Sequence, residues 1–416
     1  MTDTAVNISE RDPIAEPAPV NKADRLFSLD VVRGFAVLGI LAVNAMTFAQ
    51  PWEVSMNPTL QPTGFEGEAA TAWHAMYTLF QDKMRTLFSM LFGVSIFLIG
   101  GERSDEARGK LLRKRLFWLA IFGLIHGLAF WFGDILLLYA WTGVFVMLVR
   151  SWGARRLIIT GVVLNIVCSA IYVGLMLAMS AAPAEMMDSI MADAGWAPPP
   201  EVIAGQIEAM RGDAVSVSLT LIMKWVTVVP FMLIFMVPAT AALMMIGMGL
   251  YKAGFLAGRS PTWLYGLLLV TGAAALFLIW REGAAMIADD FPFIDGMAKP
   301  ANTFLAPLVS LGFASLLILL ARFGLKMILT PLAKAGQMAF TNYLTQTLIM
   351  TTIFYGGRGL GYFGQVGWPE MWLFIIGIWV VQLIWSPLWL SQFTMGPLEW
   401  VWRRLTYGKG VSISAR

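Results

Sequence analysis

The sequence predicts an all-α, polytopic membrane protein of about ten transmembrane helices with both termini on the cytoplasmic side. Three observations carry this expectation. Hydrophobic residues make up 58% of the 416 residues and charged residues only 13%, against about a quarter charged in a soluble domain. Apolar stretches close to the ~20 residues that cross a hydrocarbon core recur at 29–49, 86–100, 116–132, 134–149, 157–180, 229–251, 263–280, 303–321, 331–355 and 371–391. Basic residues crowd into alternate connections. With the N-terminus inside, only Lys83, Arg85, Arg211, Lys224, Arg281, Lys299 and Arg358 of the 29 fall on the outer side, and such an excess orients a membrane protein. A missed or extra span would spoil the asymmetry, so it also supports the even count.

The elements follow in order. Residues 1–24 are polar, carry Pro13, Pro17 and Pro19, and are expected to be a disordered cytoplasmic tail without a cleavable leader. Residues 25–408 form one transmembrane domain, with outer segments at 51–85 and 181–228, and 409–416 form a short cytoplasmic tail. In the first outer segment Trp73, Met76, Tyr77, Phe80 and Met84 recur at helical steps, which predicts a helix with one apolar face at the outer surface. The second holds an acidic, helix-like stretch. The lone Cys168 excludes a disulfide framework and reads as a small buried hydrophobe. A net charge of +3 gives no argument for nucleic acid. Trp52, Trp118, Trp131, Trp152, Trp400 and Trp402 stand near span ends, as interfacial belts do.

Function is sought among polar groups at membrane depth, where each ionisable side chain is costly. Asp30 and Arg33, three apart near the inner end of the first span, share a helix face and can pair. Asn44 lies near the outer end of that helix. Lys83 and Arg85 approach from outside against the charge bias, and Asp134, at the same level, is their candidate partner. His126 lies near the midplane and is suited to acid or base work, or to a neutral place in a packed bundle. Gly123 and Gly127 let another helix come close to it. Eight residues of helix, about 12 Å, separate His126 from Asp134, so without a break near Gly133 the partner is expected from another span. Asn342 and Tyr343 are candidates, with Gln346 one turn on. His74 reads as a surface histidine beside Trp73. The run GGRGLGYFG at 356–364 is similar in composition to a phosphate loop, but no strand precedes it, and it reads as a flexible outer connection.

The runs LDVVRGFAVLGILAVN at 29–44, KMRTLFSMLFGVSIF at 83–97, HGLAFWFGDILLLYAWTG at 126–143, AGQMAFTNYLTQTLI at 335–349 and GPLEWVWRRLTY at 396–407 resemble the YeiB family of bacterial inner-membrane proteins. They span nearly the whole chain in the expected order; only 181–228 lacks a counterpart. That family is grouped with transmembrane acyltransferases, among them the heparan glucosaminide acetyltransferases. The resemblance implies transfer of an acyl group from a cytosolic acyl-CoA or acetyl-CoA to a small-molecule, sugar or lipid acceptor on the far side, by an O- or N-acyltransferase in the bacterial inner membrane. In the heparan enzymes the essential histidine precedes the second span, as His74 does here, but the residues around His74 do not match; His126 belongs to the YeiB pattern.

The expected mechanism places Arg33 and the other inner basic groups on the donor phosphates, with Asp30 beside Arg33 at the substrate-binding inner end, and His126 at the thioester as base or transient acyl carrier. Asn342 or Tyr343 faces the oxyanion, Asp134 is counted with His126 among the catalytic groups, and the outer cluster of Asn44, Lys83, Arg85 and Asp134 positions the acceptor, with Gln346 also substrate-binding. No metal is implied. The alternative is a proton-coupled transporter or exporter of a small amphiphile or lipid, though no duplicated halves are visible. Close-packing glycines suit contacts within one chain and between two copies, so a homodimer stays open.

Overall fold

A computed structural model describes residues 27–179, 182–408 and 410–414. The expected N-terminal tail lies outside these, as do parts of the C-terminal one. The described residues are helical, with one isolated bridge between Phe393 and Ser414. The helices are α1 (Phe27–Ala49), α2 (Trp52–Met56), α3 (Glu68–Leu79), α4 (Lys83–Gly100), α5 (Glu106–Ala129), α6 (Leu136–Val146), α7 (Ala154–Met179), α8 (Ala184–Asp193), α9 (Pro200–Arg211), α10 (Ala214–Lys252), α11 (Thr262–Ala288), α12 (Phe293–Ala298), α13 (Pro300–Arg322), α14 (Lys326–Gln337), α15 (Ala339–Phe354), α16 (Trp368–Gln392) and α17 (Pro397–Tyr407). Among the described residues, seven stretches are long and apolar enough to cross a membrane: Phe27–Ala49, Glu68–Gly100, Ala154–Met179, Ala214–Lys252, Thr262–Ala288, Phe293–Arg322 and Trp368–Gln392. The apolar Leu136–Val149 is shorter.

Every predicted span falls largely on helix, and three of the differences in boundary bear on the site or on the outer segments. The sixth span begins at Ala214, not 229, because Lys224 is tethered to Gln206 (2.7 Å) and Glu53 (3.5 Å) and so stays within the helix. The third ends at Ala129, three residues short of the prediction. The ninth is two helices, α14 and α15, parted at Met338. A break leaves amide groups without partners. Here Glu399 of α17 takes two of them, accepting from the Phe340 and Thr341 amides at 2.8 and 3.1 Å, and also from the Thr341 hydroxyl.

Glycines set the closest crossings. A Cβ at Gly34 of α1 would overlap the Leu332 carbonyl of α14, and one at Gly336 of α14 would overlap the Asp30 carbonyl of α1. Gly93 of α4 and Gly247 of α10 stand in the same relation to Met244 and Met90. Without side chains at these points the backbones pack directly, the usual solution where lipid offers no hydrophobic drive for helix association. The helix of the first outer segment, α3, turns Trp73, Met76 and Tyr77 into the core, so its apolar face is covered by protein. Cys168 is half-buried on α7, a helix that turns Ile159, Val163, Ile166 and Ile171 outward.

Candidate functional site

A cavity of about 260 Å³ runs inside the bundle between α1, α4, α5, α6, α15 and α17. Its walls are largely apolar, with Ile40, Phe88, Phe92, Leu116, Leu119 and Leu136 among them. On α1 the lining runs from Leu29 to Ile40, about 16 Å of helix at 1.5 Å per residue. One end is basic: Arg33, Arg115 and Arg403 all border it and are half-exposed. Arg33 bonds Asp30 at 3.2 Å, and the Arg115 guanidinium lies 3.7 Å from the centre of the Trp402 ring. The start of α1 and the C-terminal α17 meet here, so both ends of the described chain lie at one end of the bundle. The break between α14 and α15 lines the cavity through Gly336, Gln337 and Ala339. Irregular backbone at membrane depth is tolerated in such a place. Glu399, also in the wall, has its carboxyl pushed above the usual carboxylate range by burial, an effect its bonds to Thr341 and Phe340 partly offset.

The deep end closes on Tyr139 and Tyr343. Behind Tyr343, with ring centres 5.4 Å apart, lies His126. At the end of α5 the Phe130 and Trp131 amides both bond the His126 carbonyl, at 3.0 and 2.9 Å. This tightens the last turn and sends the chain back on itself. Asp134 therefore returns to the ring, and His126 Nδ1 and Asp134 Oδ1 are 2.7 Å apart. The second carboxylate oxygen accepts the Leu137 amide at 2.9 Å and caps α6. Gly123 permits the return, since a Cβ there would press on Asp134 Oδ2 and Leu137. At Gly127 a Cβ would overlap the Trp225 ring.

On its other side His126 Nε2 is 3.0 Å from the Thr347 hydroxyl. A carboxylate only accepts, so hydrogen-bond logic assigns the imidazole proton to Nδ1 and leaves Nε2 to accept from Thr347. His126, Asp134 and Thr347 are 3%, 1% and 1% exposed. The line carboxylate–imidazole–hydroxyl is the arrangement that activates hydroxyls in acyl-transfer enzymes.

"Uncharacterized protein YeiB" of Escherichia coli (strain K12) is 32% identical over 424 residues, covering 94% of this chain and 100% of the relative. The chain belongs to the YeiB family. "Uncharacterized protein YxaH" of Bacillus subtilis (strain 168) is 28% identical, covering 94% of this chain and 96% of its own. A 39.9 kDa protein in the amylase 3′ region of Bacillus acidopullulyticus is 25% identical over the same shares. Residues 250–409 match the family described as "Protein of unknown function (DUF418)". No solved structure matches.

In this YeiB-family protein the expected residues divide. Asp30 and Arg33 pair as predicted and border the cavity. Tyr343 stands between cavity and imidazole, and its buried hydroxyl lies beside the Ile135 backbone. Three expectations are corrected. His126 takes Asp134 as a direct partner, because α5 stops before Gly133. Lys83 and Arg85 do not reach Asp134. Lys83 is fully buried and bonds Asn302 Oδ1 (2.6 Å) and the Tyr77 carbonyl (2.9 Å), while Arg85 bonds Asp82 at 3.2 Å. Asn342 faces away from His126, donating to the Ala335 carbonyl (3.0 Å) and Ser386 (3.1 Å) and accepting from Trp385 (3.0 Å).

Gln346 donates to Gln382 at 2.8 Å and to the Val37 carbonyl at 3.3 Å, which ties α15 to α16 and α1. Asn44 is half-buried, and its carbonyl accepts from Thr47. His74 lies between Trp73 and Trp280, with Nε2 2.8 Å from the Trp280 carbonyl. The run 356–364 is held firmly: Gly356 bonds Met210 (2.8 Å), Gly364 bonds Ala49 (2.7 Å), and Arg358 caps the Ala129 carbonyl beside the relay. Sequence reasoning missed Thr347 and Glu399.

Proposed function

We propose that this protein transfers an acyl group from a cytosolic acyl-CoA to a hydroxyl or amine on a sugar, small molecule or lipid. The observation that supports the reading most is the position of the His126–Asp134 pair, one aromatic ring behind the closed end of a cavity whose mouth carries three arginines. The arginines suit the donor's phosphates, and the apolar length suits its pantetheine arm and acyl chain. His126 Nε2 then takes the proton of the attacking group, and Asp134 holds the ring oriented and offsets the charge that forms on it. The apolar outer faces of α7, α10, α11 and α16 suit a bilayer. The basic bias of alternate connections suits ten crossings in the bacterial inner membrane with the arginine-rich end in the cytoplasm.

Acyl transfer is tested with the purified protein in lipid nanodiscs, by following thiol release from acetyl-CoA and palmitoyl-CoA. Wild type releases CoA and His126→Ala does not, while both run as the same species on size exclusion. Full turnover in His126→Ala refutes the assignment. One observation favours a second reading. A broken helix lining a cavity, as at Met338, also occurs in transporters. Uptake by sealed vesicles driven by a pH gradient, with no acyl donor present, would support transport instead.

A further inference from the structure

We infer that Thr347 is the nucleophile of this site and carries the acyl group as an ester between donor and acceptor. The inference rests on the acyl-transfer reading above and deepens it. Its first ground is the alignment already described, in which the Thr347 hydroxyl lies 3.0 Å from the one imidazole nitrogen that Asp134 leaves free to accept.

The second ground is independent. Hydroxyls on helices in low-dielectric surroundings bond back to the carbonyl four residues earlier, and this protein follows that habit. Ser89, Ser95, Thr227, Ser310, Ser315 and Thr352 do so, at 2.7–3.0 Å, while Thr142 and Thr240 bond nothing among the described residues and Thr341 turns to Glu399. Thr347 departs from it, directing its hydroxyl at His126 Nε2 instead of the Tyr343 carbonyl. A third feature bears on access. Tyr343 lies one turn before Thr347 on α15, so the two share a face. Its ring forms the cavity's end wall, with its hydroxyl beside the Ile135 backbone. For the cavity to reach Thr347, that ring must turn aside.

The step balances as follows. Thr347 Oγ1 attacks the thioester carbonyl carbon and gives its proton to His126 Nε2. The carbon–sulfur bond breaks, and the CoA sulfur leaves with the proton from His126. The acceptor's hydroxyl or amine then gives a proton to His126 and attacks the Thr347 ester. Oγ1 departs and recovers the proton. Thioester to oxygen ester is downhill, so the first half runs without an acceptor.

The test uses the full-length protein in nanodiscs with radiolabelled acetyl-CoA or palmitoyl-CoA and no acceptor, read by intact mass and peptide fragmentation. Wild type and Thr347→Ser acquire one acyl group on residue 347. Thr347→Val, close in shape, and His126→Ala do not, and CoA release by Thr347→Val falls by on the order of 10³-fold or more, the scale lost with the nucleophile of a hydrolytic triad. CoA release by wild type without an adduct, an adduct on His126, or near-wild-type turnover in Thr347→Val overturns the nucleophile while acyl transfer stands. Failure of wild type to release CoA from either donor without an acceptor overturns the acyl-enzyme; failure also with sugar, amine and lipid-alcohol acceptors added overturns acyl transfer itself.

Discussion

Replacing Asp134 by Asn changes one oxygen to an amide and reverses the relay. Asp134 uses both oxygens as acceptors, one for His126 Nδ1 and one for the Leu137 amide. An amide offers one acceptor and one donor. If its oxygen faces His126, its NH2 opposes the Leu137 N–H, which loses the α6 cap at a cost of about 1 kcal/mol and leaves a buried donor unsatisfied. If its oxygen keeps the cap, the NH2 donates to Nδ1, and the imidazole proton moves to Nε2. Thr347 then accepts from the ring instead of donating to it, so the imidazole and the α6 cap both stay satisfied. The second arrangement wins. The stability change is therefore small, about 1 kcal/mol, between the ~0.6 kcal/mol average for hydrogen bonds in a membrane bundle and the ~1.5–3 kcal/mol of a charge-assisted one.

The loss of activity is large, on the order of 10⁴-fold in kcat, the size of the effect when the same change forces the wrong tautomer in a serine protease. Nitrogen-15 NMR of labelled histidine reads the tautomer directly, because the chain has two histidines and a His74→Gln background leaves one. Wild type should show Nδ1 protonated, and Asp134→Asn should show Nε2 protonated in a folded protein. An Asp134→Asn protein with the wild-type tautomer, or with unimpaired turnover, refutes the reasoning.

Other perturbations follow from the packing. Gly336→Val forces a side chain into the Asp30 carbonyl and the Gly34 amide; overpacking of this kind costs ~1–3 kcal/mol or more, and thermal unfolding in detergent should show a clear loss. Gly174→Ala on α7 meets no atom within 4 Å and should be neutral or gain up to ~1 kcal/mol from helix propensity. Because burial raises the Glu399 carboxyl, the folded state binds its proton more tightly than the unfolded state. Its contribution is fully present below the unfolded value of about 4.3 and is lost as pH rises through the raised folded value. Stability measured against pH should fall across that window, and Glu399→Gln should flatten the fall.

The helices were readable because lipid imposes long apolar runs, and the side facing the cytoplasm was readable as an expectation because basic residues mark it. What escaped depends on partners distant in sequence or on small departures from helix. Lys334, Gly336 and Gln337 stand just before Met338, but polar residues continue through Gln346, so they do not single out the break; the carboxylate that caps it comes from Glu399, 59 residues after Phe340. The His126–Asp134 contact turns on two amides folding back onto one carbonyl, a geometry that counting residues along an unbroken helix excludes. Lys83 looked like half of an ion pair, yet its near partners are an amide oxygen and a carbonyl, which carry no charge signal. Thr347 resembled any hydroxyl in an apolar helix, and only its contact with His126 Nε2, 221 residues away in sequence, sets it apart.

Photolabelling with a palmitoyl-CoA analogue that carries a reactive group near the thioester tests the donor cavity most directly. The account predicts labelling at Leu119, Leu136 or Tyr343, protected by excess CoA and weakened when Arg33 and Arg115 are both changed to Gln. Label confined to the outward faces of α7 and α16, unaffected by CoA, would contradict it.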